Sequence, residues 1–60
     1  MKLQGILDGE RRFWNGNYWV KDSALAKDMT KAEIEKQIRI ANANNRFLDP
    51  EDRVESLQQV

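Results

Sequence analysis

The chain has 60 residues, 33% of them charged and 40% hydrophobic, and its ten basic side chains balance ten acidic ones. A chain this short buries only about 60% of its unfolded surface, which limits residues 1–60 to a single small domain. It contains neither cysteine nor histidine, which excludes disulfides, thiol nucleophiles, imidazole proton shuttles and the common zinc sites.

The charge is unevenly distributed along the chain. Residues 1–47 carry nine basic and six acidic side chains, a net charge of +3, whereas residues 48–60 carry one basic and four acidic side chains, a net charge of −3. A basic body with an acidic tail suits either an anionic partner or pairing within the molecule. No apolar run approaches the length of a membrane span or a signal-peptide core, so we expect a cytoplasmic protein with no membrane partner.

A three-stranded antiparallel meander over residues 2–20 is the first predicted element. Two dipeptides, Asp8-Gly9 and Asn15-Gly16, favour the positive φ angles that two-residue hairpin turns require. These turns divide the segment into strands at residues 2–7, 10–14 and 17–20.

The register of the second hairpin decides which aromatic side chains share a face. A two-residue turn at Asn15-Gly16 places Phe13 opposite Tyr18, and alternation then places Trp14 and Trp19 together on one face. The other face is expected to carry the remaining apolar side chains of the hairpin, Phe13, Tyr18 and Val20. Because one helix covers only one face, little chain is left to cover the second, and we expect a two-fold dimer.

The main helix is predicted over residues 31–44. Thr30 is a good N-cap residue and Glu33 follows three residues later, which together form a capping box. Apolar residues then recur at helical spacing along one stripe, and three asparagines favour the end of the helix near residue 44. The stripe consists of Ile34, Ile38 and Ala41.

A short C-terminal helix is predicted over residues 50–59. Asp49 suits the N-cap position, Pro50 suits the first helical position, and Val54 and Leu57 are three residues apart. The predicted fold is therefore α+β, with the meander packed on the main helix. Its expected core comprises Leu3 or Ile6, one aromatic set, Leu25, Met29, Ile34, Ile38, Phe47 and Leu48.

The residue types present do not indicate a catalytic site. The hydroxyl groups of Ser23, Ser56, Thr30 and Tyr18 have no histidine to activate them. The carboxylate pairs fit solvated helix faces better than acid–base catalysis, and the scattered glycines form no phosphate-binding loop. We therefore expect a non-enzymatic protein with no cofactor and no metal site.

Aromatic and arginine side chains concentrate in the meander, and such residues dominate protein-binding hot spots. For any single aromatic residue, a place in the core is the more common role. The uncovered face of the sheet is nevertheless the expected partner-binding surface. Its candidate residues are Arg11, Arg12, Phe13, Trp14, Tyr18 and Trp19.

Residues 18–34 read YWVKDSALAKDMTKAEI. This segment resembles small proteins encoded by phages and prophages, in which a short hairpin ending in Trp precedes an Ala-containing loop and a Glu-containing helix start. Trp19 and the stretch from Met29 to Glu33 carry the resemblance. It implies a compact accessory protein that acts by protein–protein binding, often on a host component in the host cytoplasm, and it brings no catalytic residue.

A second resemblance concerns the helix start Met29-Thr30-Lys31-Ala32-Glu33. It is similar to the arm-binding domains of phage integrases, in which a three-stranded sheet precedes such a helix and enters the DNA major groove. This resemblance implies an alternative function, a small DNA-binding module that uses its sheet face. Arg11, Arg12, Lys21 and Lys27 would then contact phosphates or bases. A structural assembly subunit is a third possibility, without a distinguishing residue.

Overall fold

The first hairpin forms as the sequence predicts. The computed structural model describes residues 1–60, and strands β1 (Leu3–Leu7) and β2 (Glu10–Trp14) pair antiparallel, with Leu7 opposite Glu10. Asp8 and Gly9 connect them with φ angles of 51° and 77°, the left-handed conformations that a two-residue turn of this type needs. The predicted Asp8-Gly9 turn is confirmed.

The second hairpin has a longer loop than predicted. Strand β3 consists of Trp19–Val20 alone, and Trp14 pairs with Trp19 rather than with Asn17. Asn15 Oδ1 accepts hydrogen bonds from the backbone N–H groups of Asn17 (2.8 Å) and Tyr18 (2.7 Å), which stabilises a four-residue loop. Tyr18 therefore lies in the loop and not, as predicted, in a strand opposite Phe13.

Helix α1 (Lys31–Asn45) begins where the capping box predicts. Thr30 Oγ1 accepts a hydrogen bond from the Glu33 N–H (3.2 Å), and the Thr30 N–H donates to Glu33 Oε1 (3.0 Å). The helix ends one residue later than predicted, within the run of asparagines.

The predicted C-terminal helix is wrong. Only Pro50–Asp52 forms a single 3-10 turn, and the following residues form strand β4 (Val54–Gln59), which pairs antiparallel with β1. The sheet therefore has four strands, in the order β3-β2-β1-β4, rather than three.

A β-bulge explains why the C-terminal segment has the spacing of a helix. Ser56 has a φ of 51°, and the register between β1 and β4 shifts at this point. In a regular strand, residues three apart point to opposite faces. The extra residue of a bulge restores a common face, so Val54 and Leu57 both lie close to Gly5.

The core lies between the sheet and α1. Leu3, Met29 and Ile34 form its buried centre, with partly buried apolar side chains around it. At Gly5, an added Cβ would lie 2.3 Å from Val54 Cγ1, so only glycine allows β4 and the aromatic side chains to pack this closely. The surrounding side chains are Trp14, Trp19, Ile38 and Leu57. Three residues expected in the core, Leu25, Phe47 and Leu48, are instead exposed. Leu25 lies in the connection between β3 and α1, and Phe47 and Leu48 lie beyond the last residue of α1.

The second face of the sheet, opposite α1, is also partly covered. Lys2 lies on this face with Gln4, two residues along the strand, and donates its Nζ to the Ser23 carbonyl (2.8 Å). A 3-10 turn at Ser23–Leu25 contacts β2. The connection between β3 and α1 therefore crosses the second face, which accounts for the burial of Gln4 and Phe13. The expectation that little chain remains for this face is wrong for this part of the sheet.

The architecture is thus α+β, with one main helix on a four-stranded antiparallel sheet. No helix in this fold combines the length and the apolar character that crossing a bilayer would demand.

Candidate functional site

The two tryptophans of the predicted binding set lie on the face that α1 covers. Their ring centroids are 5.4 Å apart at an interplanar angle of 56°, a tilted arrangement that is favourable for aromatic pairs. Both rings pack against the core cluster. Their main contribution in this fold is therefore to packing, and only part of each ring reaches solvent.

Arg12 lies beside this aromatic pair and bonds within the molecule. Its guanidinium donates to the Trp19 carbonyl and to Glu10, over 3.5 and 3.4 Å, while its Nε is buried without a partner. Glu10 also pairs with Lys21 at 3.0 Å. The hydrogen bond and charge of Lys21, assisted by Arg12, hold the pKa of Glu10 below its usual value.

The other three predicted residues lie elsewhere. Arg11 and Phe13 lie on the second face of the sheet, Arg11 exposed and Phe13 buried. Tyr18 projects from the loop between β2 and β3 and is 72% exposed. The six predicted residues therefore do not form one continuous surface, and the two with the most accessible side chains are Arg11 and Tyr18.

An apolar patch that the sequence analysis missed lies at the end of α1. Phe47 is 89% exposed, and Ile40 and Leu48 are also exposed. The helical turn continues past the end of α1, since the Phe47 N–H donates to the Asn44 carbonyl (3.0 Å). Residues seven apart on a helix share one side. This spacing assigns Ile40 and Phe47 to the same side, although Phe47 lies two residues beyond the end of α1. We call Ile40, Arg46, Phe47 and Leu48 the Phe47 patch.

The patch could have been found from helical periodicity. The buried stripe of α1 runs through Ile34 and Ile38, and Ile40 falls outside it by helical spacing. Phe47 continues the side of the helix that Ile40 occupies. An apolar side chain outside the buried stripe is the signal that the sequence carries.

Two arginine side chains accompany the apolar residues of the Phe47 patch. Arg46 precedes Phe47 and Arg39 precedes Ile40, and both are exposed. None of the ion pairs in the structure involves either arginine. Both guanidinium groups are therefore available to an external carboxylate.

A shallow acidic groove of about 410 Å³ lies between the first turn and the start of β4. Its lining contains three carboxylates and one arginine, and Ile6 is its one hydrophobic residue. Asp49, Glu51 and Asp52 are exposed nearby, with ligand atoms within 4.8 Å of one another. The groove is lined by Ile6, Asp8, Gly9, Pro50, Glu51, Arg53 and Glu55.

Two further carboxylates have structural partners. Hydrogen bonds from Thr30 lower the pKa of Glu33, and Lys27 lowers it further. The N-terminal ammonium group lowers the pKa of Asp28 through a hydrogen bond and its charge. Carboxyl groups with lowered pKa values stay ionised near neutral pH and act as hydrogen-bond acceptors rather than as proton donors.

The chain was compared with protein families, curated proteins and solved structures. No protein-family model, no curated protein and no solved structure matches the chain.

Proposed function

We propose that this chain is a non-enzymatic accessory protein that acts by binding another protein, of the kind that phages and prophages encode. The observation that carries the proposal is the exposure of Phe47, which leaves 89% of its surface in solvent. The resemblance at residues 18–34 supports the accessory role.

Phe47 is the most exposed of the large apolar side chains in this chain. The buried hydrophobic residues are only five: Leu3, Phe13, Met29, Ile34 and Val54. A phenylalanine contributes most to folding when it is buried, yet Phe47 remains outside this small core. Clustered exposed apolar side chains with polar neighbours are typical of protein-interaction sites.

The chemistry of the Phe47 patch indicates what its partner would present. Aromatic and arginine side chains carry much of the binding energy at protein interfaces. Phe47 fits an apolar pocket, and Arg46 and Arg39 fit carboxylates at the rim of that pocket. The proposed partner is therefore a protein with a hydrophobic cleft bordered by acidic residues.

Partner capture from a bacterial lysate tests this proposal. We expect Phe47→Ser and Arg46→Glu to lose a protein that the wild-type chain retains, with unchanged thermal unfolding because both side chains are exposed. Leu25→Ser is the matched control, since Leu25 is also an exposed apolar residue but lies outside the patch. Retention of the same partner by Phe47→Ser and Arg46→Glu would rule out this patch.

The same assay tests the binding surface predicted from the sequence. Arg11→Ala and Tyr18→Ala remove exposed side chains of that predicted set. If these variants lose the partner while Phe47→Ser retains it, the binding surface includes Arg11 or Tyr18 instead of the Phe47 patch.

DNA binding stays an alternative prediction. Of the four basic residues it would use, Lys21 and Lys27 pair with Glu10 and Glu33, and Arg12 bonds within the molecule. We expect no saturable change in tryptophan fluorescence on titration with duplex DNA. Saturable binding that weakens by roughly a thousandfold between about 50 mM and 200 mM salt would instead support the DNA-binding module, because six or more phosphate contacts release counterions.

A further inference from the structure

The outer edge of β4 has backbone groups without partners. In an antiparallel pair, alternate residues direct their N–H and C=O groups away from the neighbouring strand. Lys2 and Val60 exchange both backbone hydrogen bonds at 2.8 Å, so the adjacent pair, Leu3 with Gln59, lies at a non-hydrogen-bonded position. The N–H and C=O of Gln59 consequently point outward from the sheet.

The other end of the same edge is closed by a side chain. Asn45 Nδ2 donates to the Val54 carbonyl (2.7 Å), and the Val54 N–H donates to Asn45 Oδ1 (3.1 Å). The amide thus bonds to Val54 as a neighbouring strand would. No side chain bonds to the backbone of Gln59, so the edge is open from the bulge to its end.

Beyond the bulge, this edge lacks the lysine and proline residues that often protect a free strand. Natural edges are commonly short, or carry lysine or proline, and the opposite edge, β3, has only two residues. Residues 56–60 contain no charged residue and no proline, in a chain that is 33% charged. The bulge at Ser56 interrupts β4 at its third residue, so the stretch without a protective feature comprises residues 57–59 of the strand. Val60, which follows the strand, is 52% exposed.

We infer that this edge binds a second copy of the same chain, with the two β4 strands antiparallel about a two-fold axis. The backbone groups of Gln59 then join the two four-stranded sheets into one continuous sheet. A two-fold strand pair places like residues near one another, so charged residues there would repel. The uncharged stretch 56–60 avoids that repulsion, which favours a second copy as the occupant. The inference goes beyond the proposed function because it uses a surface other than the Phe47 patch.

Gln59→Pro tests the inference directly, because proline removes the outward N–H. Proline is tolerated on the free side of an edge strand, so the monomer should keep its fold. We expect sedimentation equilibrium to find a wild-type dimer and a variant whose dimerisation is weaker by about tenfold or more, since two interface hydrogen bonds are lost. Gln59→Thr keeps the N–H and should dimerise like the wild type.

A second variant tests the inference if circular dichroism shows that Gln59→Pro does not fold. Gln59→Lys keeps the backbone donor and changes only an exposed side chain, but brings two ammonium groups close together across the axis. We expect weaker dimerisation at low salt and partial recovery at high salt. A wild-type chain that is monomeric from micromolar to millimolar concentration, or a Gln59→Lys variant that dimerises as tightly as the wild type at low salt, would overturn the inference.

Discussion

The side-chain amide of Asn45 joins the last turn of α1 to the first residue of β4. It is the only side chain that bonds to both backbone groups of Val54, and Val54 itself is buried. A buried backbone group without a partner costs about 1–3 kcal/mol. The Asn45 side chain therefore adds two hydrogen bonds to the packing between helix and strand.

Replacement of Asn45 by alanine should be clearly destabilising. Two backbone groups of Val54 lose their partners, and we expect the free energy of unfolding to fall by about 2–3 kcal/mol in urea denaturation. Asn44→Ala is the matched control, because Asn44 is exposed and its side chain makes no hydrogen bond, so its effect should stay within about 0.5 kcal/mol. Equal effects of the two substitutions would show that the bonds to Val54 contribute nothing measurable.

Gly5 permits a close approach between β1 and the groups that cover it. An added methyl group would lie 2.3 Å from Val54 Cγ1, 3.2 Å from Leu57 and 3.3 Å from Trp19. We expect Gly5→Ala to destabilise the fold by about 1–3 kcal/mol, the range typical of overpacking. Thermal unfolding measures the loss, and a blue or red shift of tryptophan emission would report displacement of Trp19.

Gly9→Asn serves as the comparison for Gly5→Ala. Nothing lies within 4 Å of a Cβ at Gly9, and asparagine tolerates the positive φ of this turn. Its effect should be small. If Gly5→Ala were as mild as this change, β4 would be free to move aside.

At the scale of elements, the start of α1 links stability to pH. The pKa of Glu33 lies below its ordinary value of 4.5, because the ionised carboxylate accepts the Thr30 N–H. A lowered pKa in the folded state adds stability above the unfolded pKa, and this stability is lost as the pH falls through the folded pKa. Glu10 and Asp28 shift in the same direction, so stability should decline in acid from about pH 4.5 downward.

Glu33→Gln separates the capping hydrogen bond from the titration. Glutamine still accepts the Thr30 N–H but carries no charge to neutralise. Urea denaturation at neutral pH and at about pH 3 should therefore show that the free energy of unfolding falls less in the variant than in the wild type. An identical loss in both proteins would assign the acid sensitivity to the other carboxylates.

Local signals were sufficient for α1 and the first hairpin, because the capping box and the Asp8-Gly9 turn depend on residues close in sequence. They failed for β4, where Val54 and Leu57 have helical spacing. Only the left-handed Ser56 lets a strand present both residues to the core, and its conformation is maintained by pairing with β1. The prediction of a two-residue turn after β2 was also wrong, because the Asn15 side chain stabilises a longer loop than Asn-Gly alone predicts.

For the candidate site, residue types could be predicted but their placement could not. The sequence favours aromatic and arginine side chains as a binding surface, yet the fold divides the predicted set between two faces and a loop. Trp14 and Trp19 were correctly expected to share a face, but which face α1 covers depends on tertiary packing. The exposure of Phe47 likewise depends on where α1 ends relative to the sheet.

At the scale of the whole molecule, charge is distributed unevenly over the fold as well as along the sequence. The acidic groove and the three neighbouring carboxylates lie around the first turn and the start of β4, whereas Arg39 within α1 and its C-cap residue Arg46 form no ion pair. An uneven distribution of charge orients a partner during its approach. This arrangement favours directional binding even though the net charge is zero.

We expect the pairing of β1 with β4 to form late in folding. It joins residues 3–7 to residues 54–59, whereas the first hairpin and α1 use neighbouring residues. Contacts between distant segments form late, because they require closure of a long loop. We expect Val54→Ala to accelerate unfolding and to leave the refolding rate nearly unchanged in stopped-flow experiments. A refolding rate that falls with stability would place β4 in the folding nucleus. If the refolding rate is unchanged, the contacts of β4 determine the unfolding rate of the domain. The first hairpin and α1 then determine its folding rate.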